Sequence, residues 1–93
     1  MDKRLNTLGL AYRSKKVILG QDILDSMTKV KLILLASDIS IKSRERIVKK
    51  STYYNVEYID EFSSEELSKA LGKNNIKVIG ITDDGFKKLL LNK

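Results

Sequence analysis

The stretch "KLILLASDIS", Lys31 to Ser40, decides how the rest of the chain is read. Its apolar run, Leu32 to Ala36, is too short for a buried helix. An unbroken run of that length suits a central strand covered on both faces. The polar "SDIS" then ends on Ser40, a residue type that starts helices because its hydroxyl accepts a backbone N–H from the next turn. A strand passing straight into a helix is the unit from which α/β proteins are assembled.

Working outward, Leu5, Leu8 and Tyr12, with Ala11 beside them, recur at helical spacing and predict a helix over 3–13. "VIL" at 17–19 reads as a second buried strand, closed by Gly20. Ile23, Leu24 and Met27 then predict a helix over 21–29. Beyond Ser40, "IKSRERIVKKS" predicts a helix with Ile41, Ile47 and Val48 toward the core and Lys42, Arg46, Lys49 and Lys50 outward. "VEYI" at 56–59 alternates like a strand. "SSEELSKALGK" holds a capping box, Ser63 with Glu66 three residues on, and Gly72 as its stop. "VIGIT" at 78–82 is a fourth strand. "DDGFKKLLLNK" makes a last helix, its acids at the positive end of the macrodipole and its lysines toward the other.

The order α-β-α-β-α-β-α-β-α predicts an α/β fold, a three-layer α-β-α sandwich around a small four-stranded sheet. One or two antiparallel pairings would make that sheet mixed, a point periodicity leaves open. Without proline, a Gly/Ser linker or an internal repeat, residues 1–93 read as one domain. Leu34 and Ile79, on interior strands, should be almost inaccessible.

Composition narrows the chemistry. The chain has no cysteine and no histidine, which removes disulfides, thiol catalysis, thiolate or imidazole metal sites and Ser-His relays. Asp83-Asp84 follows a strand, yet an acidic pair opening a helix is accounted for by capping. Glu57, Asp60, Glu61, Glu65 and Glu66 read as a solvated acidic face rather than a divalent-cation site. Gly72, Gly80 and Gly85 fit neither a P-loop nor a dinucleotide fingerprint. These residues give catalysis no foothold. The N-terminal "MDKRLNTLGLAYRSKK" lacks an unbroken apolar run and no segment approaches membrane-span length, so a cytoplasmic location is expected.

Charge points elsewhere. The net +6 is uneven: residues 1–50 carry +7 and residues 51–93 carry −1, which favours a polyanionic partner for the first half. The basic residues of the third helix either track phosphates or form a solvated face with Glu45–Lys49 pairing. Tyr12, Tyr53, Tyr54 and Tyr58 read as core-edge packing residues, with base stacking as the alternative.

Taken together, "LGLAYRSKKVILGQDILDSM", "KLILLASDIS", "KALGK" and "VIGITDDGF" resemble the bacterial YlxQ-type proteins of the ribosomal L-seven-Ae/L-thirty-e superfamily. The resemblance runs over nearly the whole chain in one order. It implies the α-β-α sandwich of that superfamily, no enzymatic activity, no cofactor, and structured RNA, ribosomal and possibly kink-turned, as the partner. Kink-turn binders carry glycine, any residue, asparagine, glutamate, two further residues and lysine at the start of the second helix. Here Gly20 matches, while Asp22, Ile23 and Ser26 stand at the asparagine, glutamate and lysine positions. An aspartate only accepts, and Asp22 and Asp25 repel phosphate. Asp22 either accepts from base amines or serves as an N-terminal helix residue.

The resemblance also implies contacts from the loop "KNNIK", where Asn74, Asn75, Ile76 and Lys77 would close over a flipped-out nucleotide. Ser40 ends the third loop of that surface. The expected face thus comprises Lys16, Gly20, Gln21, Asp22, Ser26, Ser40 and Asn74 to Lys77, with Arg13 and Lys15 adding phosphate attraction. The other reading is a protein-interaction module that kept the fold and lost the RNA corner, docking ribosomal or acidic proteins.

Overall fold

The computed structural model describes residues 2–20 and 22–91. Along the described chain run α1 (Lys3–Arg13), β1 (Val17–Leu19), α2 (Asp22–Asp25), β2 (Leu32–Leu35), α3 (Ile41–Tyr53), β3 (Glu57–Ile59), α4 (Ser64–Leu71), β4 (Val78–Ile81) and α5 (Asp84–Leu91). The strands lie in the order β1-β4-β2-β3. β4 runs antiparallel to both neighbours, pairing Leu19 with Ile79 and Leu34 with Ile79, whereas β2 and β3 are parallel. The sheet is therefore mixed.

Alternation along the central strands sorts the core into two layers. Leu32, Leu34, Ile79 and Ile81 face one way and pack with Leu5, Leu8, Ala11, Leu67, Leu71 and Leu90 from α1, α4 and α5. Ile33 and Leu35 face the other way and meet Ile23, Met27, Val30 and Ile47 from the α2 segment and α3. Leu34 is 1% exposed and Ile79 0%, as interior strands require. Gly9 lets α1 approach α4, since a Cβ there would come within 2.9 Å of the Ala70 carbonyl oxygen.

Helix ends follow local chemistry. The Ser40 hydroxyl accepts the Ser43 N–H at 3.3 Å, and Ser63 with Glu66 forms the full capping box. Asp83 accepts the Phe86 N–H at 2.9 Å, so the acid before α5 serves as its cap. α1, α3 and α4 all close with paired backbone bonds around a left-handed residue: Lys15 (φ 60), Asn55 (φ 58) and Gly72 (φ 68). Lysine has neither glycine's freedom nor asparagine's local hydrogen bonding in that conformation. Lys15→Gly is expected to stabilise the protein by about 0.5–1 kcal/mol, read as a higher urea midpoint at unchanged m-value. A lower midpoint would mean that the lysine side chain stabilises the turn.

Three expectations are corrected. The helix expected over 21–29 is a single turn, Asp22–Asp25, followed by i→i+3 turns from Ile23 O to Val30 N. Asp25, Ser26 and Thr28 are weak helix formers whose side chains compete for backbone bonds. Ile23 and Met27 are buried as their spacing implies, and Val30 packs over Gly80. Ile41 is 76% exposed rather than core-facing. The buried meridian of α3 runs through Ile47 and Ser51, and Ile41 lies about 100° around the helix from it. Tyr53, expected at a core edge, is 81% exposed, its ring in T-shaped contact with Tyr54 at 5.0 Å between ring centres.

Candidate functional site

Gly20 ends β1 with φ 61, and nothing lies within 4 Å of where a Cβ would be. Conformation rather than space calls for glycine there. Its carbonyl accepts the Ile23 N–H at 3.2 Å, turning the chain into the α2 segment. Because β4 is antiparallel to β1 and β2, the start of β4 lies beside the ends of both. That topology gathers three loops at one end of the sheet: Gly20 onward, Ala36 to Ser40, and Asn74 to Lys77.

Between these loops and α3 opens a cleft of about 400 Å³. Leu19, Leu24, Ile39, Ile47, Ile76 and Val78 make its floor, and Ser40, Ser43, Arg46, Asn75 and Lys77 its polar rim. Among the described residues no carboxylate lines it. An apolar floor inside a rim of amide, hydroxyl and cationic groups suits an unstacked base with its phosphate outside.

The expected site residues divide by position. Gly20, Ser40, Asn75, Ile76 and Lys77 line the cleft. Asn75 is left-handed (φ 58), and the Ile76 N–H donates to the Ser68 hydroxyl at 2.8 Å, which leaves Ile76 half-buried rather than fully exposed. Asn74 sits instead in a shallow groove with Ser64, Ser68 and Lys73. Asp22 and Ser26 lie on the adjacent α2 segment outside the lining; among the described residues the Asp22 carboxylate accepts no hydrogen bond, so it does not cap. Gln21 lies outside the described residues.

Arg13, Lys15 and Lys16 are not brought to this cleft. The Lys16 carbonyl accepts the Thr82 N–H at 2.9 Å, which sets Lys16 beside the far end of β4. The three residues of β1 separate it from Gly20, four steps along the strand or about 13 Å. Lys15 forms the end of α1, and Arg13 borders a groove between α1 and α4. Arg46 and Ser43, which line the cleft, were not expected there. Their signal was faint: Ser43 follows the Ser40 cap by three residues, but only the tertiary placing of α3 beside the Gly20 loop brings the exposed Arg46 to the cleft rim.

Electrostatics braces the site from below. The Ser64 N–H and hydroxyl each donate to Asp38 at 2.7 Å, tying the loop after β2 to α4. These bonds hold the Asp38 carboxyl below the usual carboxylate range, with Lys77 adding attraction. A depressed pKa contributes stability that is present above the unfolded value and lost as pH falls through the folded one. The urea midpoints of the natural protein and Asp38→Asn should therefore differ at about pH 5, and the gap should narrow progressively as pH falls below about 4, the unfolded-state value. A constant gap would show that Asp38 protonation is not linked to folding.

The acidic face is largely paired. Glu61 binds Arg4, whose guanidinium also lies 4.8 Å from the Phe62 ring centre; Asp60 meets Arg44 at 2.6 Å and Glu57 meets Lys87 at 3.5 Å. Among the described residues no group of three Asp, Glu, His or Cys is placed to hold a metal ion. No described helix is long and apolar enough to cross a membrane.

Helices on both faces of a β1-β4-β2-β3 sheet, with a cleft where three loops meet beside Gly20, define an α-β-α sandwich with a ribosomal L-thirty-e-like fold. The chain is 36% identical over 89 residues to the RNA-binding protein YlxQ of Enterococcus faecium, covering 92% of this chain and 85% of that protein. Against the RNA-binding protein YlxQ of Bacillus subtilis (strain 168) it is 34% identical over 88 residues, covering 91% and 88%. The chain belongs to the YlxQ family. No family model matches it.

Among solved structures, a protein of unknown function from Bacillus halodurans C superposes with a TM-score of 0.92 at 29% identity, over 97% of this chain and 94% of that one. The Giardia lamblia 15.5kD RNA binding protein has the same fold, with a TM-score of 0.80 at 17% identity over 97% and 83%.

Proposed function

We propose that this protein is a non-enzymatic, cytoplasmic binder of structured RNA, ribosomal in origin and bent as in a kink-turn, and that the RNA seats on the Gly20 cleft. The observation that carries this reading is the cleft itself, with its apolar floor, Arg46 and Lys77 on its rim and, among the described residues, no carboxylate in its lining. The relatives named as RNA-binding proteins support the choice of partner. Shape carries most of the recognition: an unpaired base enters over Ile76 and Leu24, while Arg46 and Lys77 attract the adjoining phosphates. No cofactor is required. Asn75 and Ser40 supply the polar groups that hold the base edge.

One observation favours the other reading. Asp22 and Asp25 stand exposed on the α2 segment beside the cleft and repel phosphate, which suits a module docking ribosomal or acidic proteins through its basic half. Titrating a kink-turn RNA against a straight duplex of equal length, in graded salt, separates the two. The expected result is at least about tenfold preference for the bent RNA, with log K falling linearly with log salt. Absence of binding to either would transfer the lead to the protein-interaction reading.

A further inference from the structure

Four cations of α3 have no ion-pair partner among the described residues: Lys42, Arg46, Lys49 and Lys50. By contrast, Arg44 on another side of the same helix is held by Asp60 and lies 5.8 Å from the Tyr58 ring centre. At 100° per residue the four free cations fall within about a 100° arc, and Tyr53 falls inside that arc. Glu45, the helix's only acid, lies outside it. The stripe is therefore unbroken by negative charge along the helix. It begins at the cleft, where Arg46 forms part of the rim, and continues for about 17 Å from Lys42 to Tyr53 at 1.5 Å per residue.

The far end differs from an ordinary solvated lysine face. Tyr53 is 81% exposed, in T-shaped contact with Tyr54, and so presents most of its ring to solvent one turn beyond Lys49. Cations interleaved with an exposed aromatic ring are the elements of a groove for single-stranded nucleic acid. On the same side of the sheet the α2 segment carries Asp22 and Asp25. A polyanion leaving the cleft is thus repelled on the α2 side and attracted on the α3 side.

We infer that the outer stripe of α3 carries a single-stranded RNA extension leaving the cleft, with phosphates on Lys42, Arg46, Lys49 and Lys50 and an unpaired base stacked on Tyr53. This rests on the proposed function and deepens it: the preferred RNA has an unpaired strand next to the bend. The test compares three kink-turn RNAs, one blunt, one with a short 5′ oligouridine tail and one with a short 3′ tail. Each is titrated against the natural protein and against the triple variant Lys49→Gln, Lys50→Gln, Tyr53→Ala, whose altered side chains are all exposed.

The natural protein should bind one tailed RNA about tenfold tighter than the blunt one, as expected when stacking joins phosphate contacts. The triple variant should lose that gain, keep blunt affinity within about twofold, and show a salt slope on tailed RNA shallower by about 1.4, from two lost single-strand phosphate contacts. Equal affinity for blunt and tailed RNAs, or a gain that survives in the variant, would overturn the inference and leave the cleft reading standing. A variant that loses blunt and tailed RNA alike would also overturn it, because the stripe would then be part of the cleft contact. Failure of the natural protein to bind any of the three would overturn the proposed function itself.

Discussion

Ile23→Glu is expected to destabilise the protein by about 3–5 kcal/mol, a large part of the roughly 5–14 kcal/mol available to a chain of this length. Ile23 is 0% exposed and packs with Met27, Val30, Ile33 and Ile47. Its Cγ1 also lies within 3.4 Å of the position a Cβ would take on Gly80. No described residue offers a cation in that cluster, so a glutamate would be desolvated without a partner. Urea unfolding followed by circular dichroism measures the loss; a variant that melts like the natural protein would show that Ile23 is not core.

The consequence reaches function. Restoring asparagine, glutamate and lysine at positions 22, 23 and 26 looks from sequence like a way to rebuild a kink-turn corner. In three dimensions the middle change removes a core residue. Asp22→Asn with Ser26→Lys, both outside the core, should leave melting unchanged while binding a kink-turn RNA about tenfold tighter, the worth of one good charged contact.

The second large effect is on binding. Reversing both rim cations, Arg46→Glu with Lys77→Glu, should weaken kink-turn RNA binding by at least about a hundredfold, since each charge-assisted contact contributes about 1.5–3 kcal/mol. The salt slope should flatten by about 1.8 as two phosphates lose their partners. Lys16→Glu, one charge reversed at the opposite end of β1, should cost less than about threefold, because screening over more than a Debye length removes most of its influence. Should Lys16→Glu prove as damaging as the double reversal, the RNA face would include the far end of the sheet, as the basic run Lys15-Lys16 first suggests.

Lys15 and Lys16 illustrate why linear charge is a poor guide to a site. They precede Gly20 by only a few residues, so a reading along the chain joins them to it. A strand lies between, and a strand carries its two ends apart at about 3.3 Å per residue. Arg46 shows the converse. More than twenty residues from Gly20, it reaches the same cleft because β2 carries the chain back to that end of the sheet and Ser40 starts α3 there.

What the amino-acid sequence determined by itself is whatever depends on contacts between near neighbours. The capping groups Ser40, Ser63 and Asp83, the stop at Gly72, and the buried runs at 32–35 and 79–81 all follow from the residue and those within a turn of it. Element order followed in turn, and with it the three-layer sandwich. The tertiary structure alone decided the length of α2, the packing of Ile23 against Gly80, the exposure of Ile41 and Tyr53, and which cations meet at the cleft. Those features depend on which strand ends lie side by side. The antiparallel placing of β4 between β1 and β2 sets that, through backbone hydrogen bonds that every residue type except proline can make.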